Sequence, residues 1–174
     1  MQKVLVTGAT GFIASHLILQ LLEKGYEVRG TARSASKADE LNKVLSDYAG
    51  KPVSIEIVEA DLNSDEGWQE AVRGMDFVQH VASPFPPNAP KSADELIRPA
   101  RDGALRVLKA AKAEGVKRVV MTSSMAAIAY GWGDKRPNPL TEVHWSNPDN
   151  LKDNTAYTRS KTIAERAAWD YVNT

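Results

Sequence analysis

The sequence predicts an α/β fold in which helices cover both faces of an open, parallel β-sheet. Three observations lead to this prediction. Five short strand-like segments alternate with helix-like segments, which is the pattern of a doubly wound sheet. The first strand-like segment runs directly into a glycine-rich turn and a helix-like segment. With 174 residues, of which 43% are hydrophobic, the chain suits one domain that buries its own core.

The first strand, turn and helix form the first candidate binding site. Residues 3–7 are a short apolar run, which indicates a buried strand, and Gly8-Ala-Thr-Gly11-Phe-Ile-Ala14 follows directly. Small residues before a helix let the backbone approach a pyrophosphate, whose charge the helix N-terminus stabilises. The spacing Gly-x-x-Gly-x-x-Ala by itself indicates no more than a turn. With the strand before it and the helix over residues 15–24, it predicts a dinucleotide site.

The second strand, over residues 26–32, ends at a basic residue. Arg33 follows it and Lys37 lies close behind. Sheets that bind NAD place a carboxylate here to hold the ribose hydroxyls, whereas an arginine suits the 2′-phosphate of NADP. The first acidic residue after the strand is Asp39. We therefore expect NADP rather than NAD; the alternative is a solvated basic loop.

The third strand-like segment closes on an aspartate. Residues 35–49 have the pattern of a helix with a polar face, and residues 53–60 alternate as a strand does. Asp61 then either accepts a hydrogen bond from an adenine amine or begins a turn, and the sequence favours neither. Ser64 is predicted to cap the next helix. The core-facing residues predicted for that helix are Trp68, Ala71 and Val72.

The fourth strand, over residues 76–82, leads into a proline-rich loop. His80 lies inside the strand, which predicts a buried core histidine rather than a catalyst. Residues 83–90 hold four prolines and are not expected to form regular structure. Ligands of open α/β sheets bind beyond the carboxyl ends of the strands. This loop is therefore expected to border the cofactor, with a plain surface loop as the alternative.

The fifth strand, over residues 117–122, is followed by two serines. A helix over residues 92–114, kinked at Pro99, precedes the strand. Ser124 or its neighbour Ser123 either donates a hydrogen bond to a substrate carbonyl or turns the chain. The residues alone do not choose between the two serines.

A tyrosine and a lysine four residues apart follow a long irregular loop over residues 130–154. Tyr157 and Lys161 share one face of the predicted helix. A phenol titrates near ~10, and a nearby cation lowers that pKa. Such a tyrosine gives a proton to a forming alkoxide or takes one back. The other interpretation is a tyrosine stacked on a lysine stem.

The assembled pattern places the candidate residues at one edge of the sheet. Because crossovers between parallel strands are right-handed, the alternation predicts a Rossmann sheet in three layers, α/β/α. The residues at the carboxyl ends of its strands are the glycine turn, Arg33, Asp61, Ser83 and the serine pair. Their common position is stronger support for a ligand crevice than any single motif.

Composition excludes several other functions. The chain has 22 basic and 22 acidic residues and no basic stripe, which argues against nucleic-acid binding. It has no cysteine, and its three histidines are scattered, so we expect no metal site. Its apolar runs are too short to span a bilayer, so no membrane partner is expected. The N-terminus has no signal peptide, which predicts a cytoplasmic location.

Five motifs together resemble the extended short-chain dehydrogenase/reductases. They are Thr7-Gly-Ala-Thr-Gly-Phe-Ile-Ala14, Asp61-Leu62, His80-Val-Ala-Ser-Pro84, Thr122-Ser-Ser124 and Tyr157-x-x-x-Lys161. Arg98-Pro-Ala and the run from Ser160 to Trp169 add to the likeness. The most similar branch is the dihydroflavonol-4-reductase group, which includes plant flavonoid and cinnamoyl reductases and microbial aldehyde and ketone reductases. The resemblance covers nearly the whole chain.

The resemblance implies an NADPH-dependent oxidoreductase that reduces an aldehyde or ketone to an alcohol. Tyr157 would donate the proton, Lys161 would lower the pKa of the phenol and bind the nicotinamide ribose, and Ser124 would polarise the carbonyl. The cofactor-binding residues that it implies are Gly8, Thr10, Gly11, Phe12, Ile13, Arg33, Lys37, Asp61, Leu62, Val81, Ala82, Ser83, Tyr157 and Lys161.

The sequence departs from the family in two residues and in length. Ser83 stands where the branch often has threonine, and Asp102-Gly103 stands where members commonly have Asn-Gly, which puts a water relay there in doubt. Family members continue through a C-terminal lobe that builds most of the substrate pocket. We therefore expect residues 1–174 to be a truncated chain, an NAD(P)-binding Rossmann domain without its substrate lobe.

Two other functions stay open beside the carbonyl reductase. One is a nucleotide-sugar epimerase or dehydratase of the same superfamily. The other is a non-catalytic dinucleotide-binding module, because the chain alone is not expected to hold a complete substrate pocket. The expected partner of the parent enzyme is a small carbonyl compound, and the family includes both monomers and homodimers.

Overall fold

The structure is a computed structural model that describes residues 1–85 and 90–174. Five parallel strands form one sheet in the order β3-β2-β1-β4-β5. The strands are β1 (Lys3–Thr7), β2 (Glu27–Ala32), β3 (Glu56–Glu59), β4 (Phe77–His80) and β5 (Arg118–Met121). This parallel order, which reverses direction at β1, confirms the predicted Rossmann sheet.

In the described part of the chain, six α-helices connect and follow the strands. They are α1 (Phe12–Glu23), α2 (Ala38–Ala49), α3 (Trp68–Val72), α4 (Asp94–Ala113), α5 (Ala126–Ala129) and α6 (Ala156–Val172). Short 3-10 turns precede α2 at Ala35–Lys37 and interrupt the loop before α6 at Gly133–Lys135. None of the helices in the described residues is long and apolar enough to cross a membrane.

Several element boundaries differ from the predictions. Gly11 is the N-cap of α1, which therefore begins three residues before the predicted Ser15. The prediction that Ser64 caps a helix is wrong, because α3 begins after Gly67 and the Ser64 hydroxyl accepts from the Glu66 N–H at 3.2 Å. The helix α5, a single turn of small residues, was not predicted from the sequence. Within the predicted proline-rich loop, residues 86–89 lie outside the described residues.

The chain forms two compact units, and the first contains the sheet. It comprises residues 1–82 and 106–122. Alternate residues of β1 point to opposite faces, so Val4 and Val6 pack with α1 and α2, while Leu5 packs with α3 and the second half of α4. Trp68, Ala71 and Val72 are buried as predicted. The two apolar clusters give this unit its three layers.

The second unit comprises residues 83–105 and 123–174. Ser146 of the long loop is fully buried in this unit and binds the backbone at both ends of α5. The Ser146 hydroxyl donates to the Ala126 carbonyl and accepts from the Tyr130 N–H, both at 2.8 Å. The Thr162 hydroxyl of α6 shares its proton between the same carbonyl, at 3.3 Å, and the Thr158 carbonyl of its own helix, at 3.1 Å. These bonds connect α5, the loop and α6 in one unit.

In the first unit, one buried hydroxyl joins β1 to the end of β4. Thr7 Oγ1 accepts from the N–H groups of Val81 at 3.1 Å and Ala82 at 3.0 Å, and it lies 2.8 Å from Nδ1 of His80. A hydroxyl has two lone pairs and one proton. Because both lone pairs are occupied, the hydroxyl donates to Nδ1, and His80 carries its proton on Nε2. His80 is 5% exposed and packed in the core, as the sequence predicted.

We expect Thr7→Val to lower the free energy of unfolding by at least about 3 kcal/mol, because it removes the hydroxyl that pairs with two N–H groups and one ring nitrogen, and each such loss costs about 1–3 kcal/mol. The comparison variant is Thr31→Val. The Thr31 hydroxyl is also buried but accepts from the Gly8 N–H, at 3.1 Å, so we expect a smaller loss there. Urea unfolding of both variants measures the difference, and equal losses would contradict the network.

Candidate functional site

The glycine turn brings two backbone segments of the first unit into close contact. Gly8 has a φ of +67°, in the left-handed region that favours glycine. A Cβ atom there would meet the Cα and the Cβ of Ala82 at 3.1 Å each. At Gly11 a Cβ atom would meet the Gly8 carbonyl oxygen at 3.2 Å. The close approach of Ala82 is therefore one reason for glycine at residue 8, whereas the approach of a pyrophosphate to this turn stays a prediction.

The N-terminus of α1 follows this turn and is open to solvent. Thr10 and Gly11 are exposed, and the side chains of Phe12 and Ile13 are 81% and 60% exposed. Gly11 caps the helix without a side-chain hydrogen bond. The first N–H groups of the helix therefore have no side-chain cap, and the dipole of the 12-residue helix favours an anion there. These residues fit the phosphates of a dinucleotide.

The two basic residues after β2 differ in their surroundings. Arg33 is exposed and forms no ion pair with any residue that the structure describes. The Lys37 ammonium, in contrast, lies 2.8 Å from the Glu40 carboxylate, which holds the pKa of Glu40 below its ordinary value. The end of β3 adds an acidic residue to this loop, since Glu59 accepts from the Ala35 N–H at 3.3 Å. The sequence did not predict that Glu59 lies in this loop, because Glu59 is 24 residues away from Ala35.

The loop after β3 is held by its own hydrogen bonds. Asp61 Oδ1 accepts from the backbone and side-chain nitrogens of Asn63, at 2.8 and 3.0 Å, so Asp61 begins a turn. A contact of Asp61 with adenine stays a prediction. Arg106 of α4 donates to the Leu62 carbonyl at 2.7 Å, which fixes the half-buried Leu62. The contact of Arg106 with this loop could not be predicted from the sequence, because Arg106 lies 44 residues away from Leu62.

The other predicted cofactor residues follow β4. Val81 and Ala82 belong to the first unit and are held by the Thr7 hydroxyl described above. Ser83 belongs to the second unit. The sequence motif included Thr7 but did not predict that its hydroxyl binds the backbone after β4. A polar threonine at the end of an apolar strand, directly before a glycine turn, was the sequence feature that could have indicated this role.

The catalytic candidates of the second unit lie at the start of α6. Thr155 caps this helix and forms a capping box with Thr158, so the helix begins at Ala156 and Tyr157 lies in its first turn. The Lys161 ammonium lies 6.0 Å from the centre of the Tyr157 ring. Phe85 packs edge-on against the same ring, with centroids 5.4 Å apart. Phe85 had not been assigned to the site, because the proline-rich loop gave no sign of its direction.

Lys161 is buried although it carries a charge. Its residue is 9% exposed. Burial lowers the pKa of the ammonium below its ordinary value, and the negative charge of Glu165 opposes that shift. Lysines are seldom buried without a reason, and perturbed lysines concentrate at functional sites. This environment distinguishes Lys161 from an ordinary surface lysine on a helix.

The two serines after β5 have different partners. The Ser123 hydroxyl donates to the carboxylate of Glu165 on α6. The Ser124 hydroxyl accepts from the Ala126 N–H at 3.1 Å, and its own proton has no acceptor among residues 1–85 and 90–174. Ser124 and Tyr157 are not hydrogen-bonded to each other in the described part of the chain. The arrangement favours Ser124 over Ser123 as a donor to a ligand.

Asp102, which stands where family members commonly have asparagine, forms an ion pair within α4. Asp102, half-buried on α4, accepts from Nε of Arg101 at 2.7 Å. This ion pair holds the pKa of Arg101 above its ordinary value. The acidic residue is therefore matched by an adjacent cation of the same helix.

A family model described as the NAD dependent epimerase/dehydratase family matches residues 4–174. The chain belongs to this family. As a family member, it is 39% identical to tetraketide alpha-pyrone reductase 2 of Arabidopsis thaliana, over 97% of this chain and 54% of the relative. It is 39% identical to the cinnamoyl-CoA reductase CAD2 of Medicago truncatula, over 97% of this chain and 52% of the relative. It is 35% identical to the dihydroflavonol 4-reductase of Hordeum vulgare, over 98% and 49%.

Solved structures agree with these relatives. The yeast methylglyoxal/isovaleraldehyde reductase Gre2 complexed with NADPH is 32% identical and superposes with a TM-score of 0.78 over 99% of this chain and 53% of that one. Vestitone reductase from alfalfa gives 31% identity and a TM-score of 0.78 over 99% and 53%. The likeness to the dihydroflavonol-4-reductase branch is thereby confirmed. This family member spans about half the length of the curated relatives it matches.

The close contact at Gly8 gives a matched prediction. Gly50, the C-cap of α2, has a similar φ of +64° but nothing within 4 Å of an added Cβ atom. Gly50→Ala should therefore cost only the backbone strain, about 1–2 kcal/mol. Gly8→Ala adds the contact with Ala82, and overpacking typically costs a further ~1–3 kcal/mol. We expect urea unfolding to give a distinctly larger loss for Gly8→Ala; equal losses would mean that the turn relaxes freely.

Proposed function

We propose that the protein is an NADPH-dependent oxidoreductase that reduces an aldehyde or ketone to an alcohol. The observation that carries this proposal is the buried Lys161, one helical turn from Tyr157 on α6. The alternative interpretation, a tyrosine that only packs on the lysine stem, does not require the lysine ammonium to be buried. The reductases among the relatives and the solved structures support the same chemistry.

Residues of the first unit would hold the cofactor. The turn from Gly8 to Gly11 and the exposed N-terminus of α1 fit its phosphates, and Arg33 fits a 2′-phosphate. Val81 and Ala82 would line it, and Leu62 would lie beside the adenine. When bound, NADPH supplies a hydride for the carbonyl carbon. The protein contributes the placement and the proton transfer.

Three side chains of the second unit would perform the proton chemistry. The Tyr157 phenol donates its proton to the carbonyl oxygen of the substrate as the alkoxide forms. The Ser124 hydroxyl, whose proton has no acceptor among the described residues, donates a hydrogen bond to the same oxygen. The Lys161 ammonium supplies positive charge at the phenol and binds the nicotinamide ribose. The phenolate is then reprotonated for the next turnover.

The reductase is favoured over an epimerase or dehydratase of the same family. The relatives named above are reductases, and two of the solved structures are complexes with NADPH. Arg33, an exposed cation at the end of β2, suits NADP better than the ribose hydroxyls of NAD. The direct test is loss of NADPH absorbance with simple aldehydes and ketones, using the protein as its gene encodes it. An epimerase leaves NADPH unconsumed, and a binding module binds NADPH but does not oxidise it.

Tyr157→Phe should lower the rate of carbonyl reduction by about 100-fold or more, because general acid catalysis contributes roughly 10²–10⁴-fold. NADPH affinity should change little, since the phenyl ring remains. The matched control is Tyr130→Phe, which removes the same hydroxyl from a half-exposed tyrosine of the same unit. Normal turnover in Tyr157→Phe would contradict the assignment, as would an equal loss in the control.

Arg33→Asp should move the nucleotide preference toward NADH by at least tenfold, or about 1.4 kcal/mol, because an Asp repels the 2′-phosphate and suits the ribose hydroxyls. Fluorescence titration of the 174-residue chain with NADPH and with NADH measures this shift without turnover. Lys51→Asp is the charge-matched control, since Lys51 is exposed and lies before β3, at the opposite end of the sheet. An unchanged preference in Arg33→Asp would remove Arg33 from the site.

A further inference from the structure

Glu165 lies one helical turn beyond Lys161 on α6 and is half-buried. Its carboxylate accepts a hydrogen bond from the Ser123 hydroxyl, which belongs to the segment between β5 and α5. It also accepts from Nε1 of Trp169, at 3.4 Å. Residues four apart on a helix share a face, so Glu165 is a neighbour of Lys161 as well as of the serine segment.

The surroundings of Lys161 make this carboxylate electrostatically important. Within the second unit, α5 packs against α6 and contributes alanines and one isoleucine, none of them charged. On α6 itself, the described groups that face Lys161 are the Tyr157 ring and Glu165. The first cation after Lys161 along α6 is Arg166, whose guanidinium carbon lies 5.2 Å from the centre of the Trp145 ring and which donates to the Ser146 carbonyl. Glu165 is therefore the negative charge that offsets the burial of the ammonium.

We propose that Glu165 is a positioning residue for the reaction, which holds the Ser123–Ser124 segment on α6 and places a negative charge one helical turn from the buried Lys161. This inference rests on the proposed function, because it takes Ser124, Tyr157 and Lys161 as the catalytic residues. One carboxylate connects two of them: it binds the neighbour of Ser124 directly and balances the charge of Lys161 along the helix. Glu165 itself touches neither substrate nor cofactor in this role.

Two variants separate the two effects of this carboxylate. Glu165→Gln keeps an oxygen that accepts from Ser123 but removes the negative charge. Ser123→Ala removes the hydrogen bond but keeps the charge. A carboxylate that only packs on the surface would give neither variant a specific effect.

The first measurement is a titration of Lys161 in the 174-residue chain by NMR, with lysine labelled with ¹³C at Cε and the signal assigned by loss in Lys161→Arg. Burial already lowers the pKa of Lys161, and Glu165 opposes this. We therefore expect Glu165→Gln to lower the pKa of Lys161 further, and Ser123→Ala to leave it close to the unmodified value. An unchanged pKa in Glu165→Gln would overturn the electrostatic part of the proposal.

The second measurement is amide hydrogen exchange at the start of α5, where the Ala127 N–H donates to the Ser124 carbonyl at 2.9 Å. Exchange should become at least several-fold faster in Ser123→Ala and stay close to the original rate in Glu165→Gln. Equal exchange rates in all three proteins would overturn the positioning of the serine segment.

Both measurements need neither cofactor nor turnover, so their failure is distinguishable from failure of the proposed reductase. If the protein as its gene encodes it reduces carbonyls, the alkaline limb of its pH profile should move to lower pH in Glu165→Gln, in parallel with Lys161. An active enzyme whose alkaline limb does not move would reject Glu165 and keep the reductase. A protein that shows both the shift in the pKa of Lys161 and the change in amide exchange but consumes no NADPH would reject the reductase and, with it, the role of Glu165 in catalysis.

Discussion

The first unit depends on how closely the backbone after β1 approaches the backbone after β4. Gly8 allows this approach because a side chain there would collide with Ala82. The Thr7 hydroxyl then satisfies two N–H groups and one histidine nitrogen in a space that excludes water. The two features complement each other, because the glycine leaves room for the close approach and the hydroxyl pairs with the polar groups that the approach buries.

The second unit differs from the first because it contains a buried charged side chain, Lys161, whose burial costs stability. A lysine that loses its water destabilises the folded chain unless a negative charge lies nearby. The helix that carries Lys161 is fixed at its beginning by the Thr155–Thr158 capping box and along its side by Thr162. Such supports hold Tyr157 and Lys161 at a constant spacing. Rigid placement of a proton donor and a cation is the kind of arrangement that catalysis by proton transfer requires.

The sequence predicted the features that depend on local pattern. The run at residues 3–7, the glycine turn and the Tyr157–Lys161 helix were visible because hydrophobic period, small residues and spacing are written along the chain. The helix cap at Ser64 was predicted wrongly because the tertiary fold placed the left-handed Gly67 before α3. The partners of Arg106, Glu59 and Ser123 could not be predicted, because each contact joins residues far apart in sequence. Local sequence patterns therefore predict individual helices and strands, whereas contacts between distant helices, strands and loops become visible only in the folded structure.

Cofactor choice in this fold rests on a small and local balance of charge. The family is described as NAD dependent, whereas the solved structure of the yeast reductase Gre2 is a complex with NADPH. Both are compatible with one sheet, because the discriminating group is the residue at the end of β2 rather than the glycine turn. Here Lys37 is offset by Glu40, and Glu59 adds a carboxylate to the same loop. Under the proposed function, the attraction for a 2′-phosphate would therefore fall mainly on Arg33, and the exposed position of this residue predicts a strong dependence of NADPH affinity on salt.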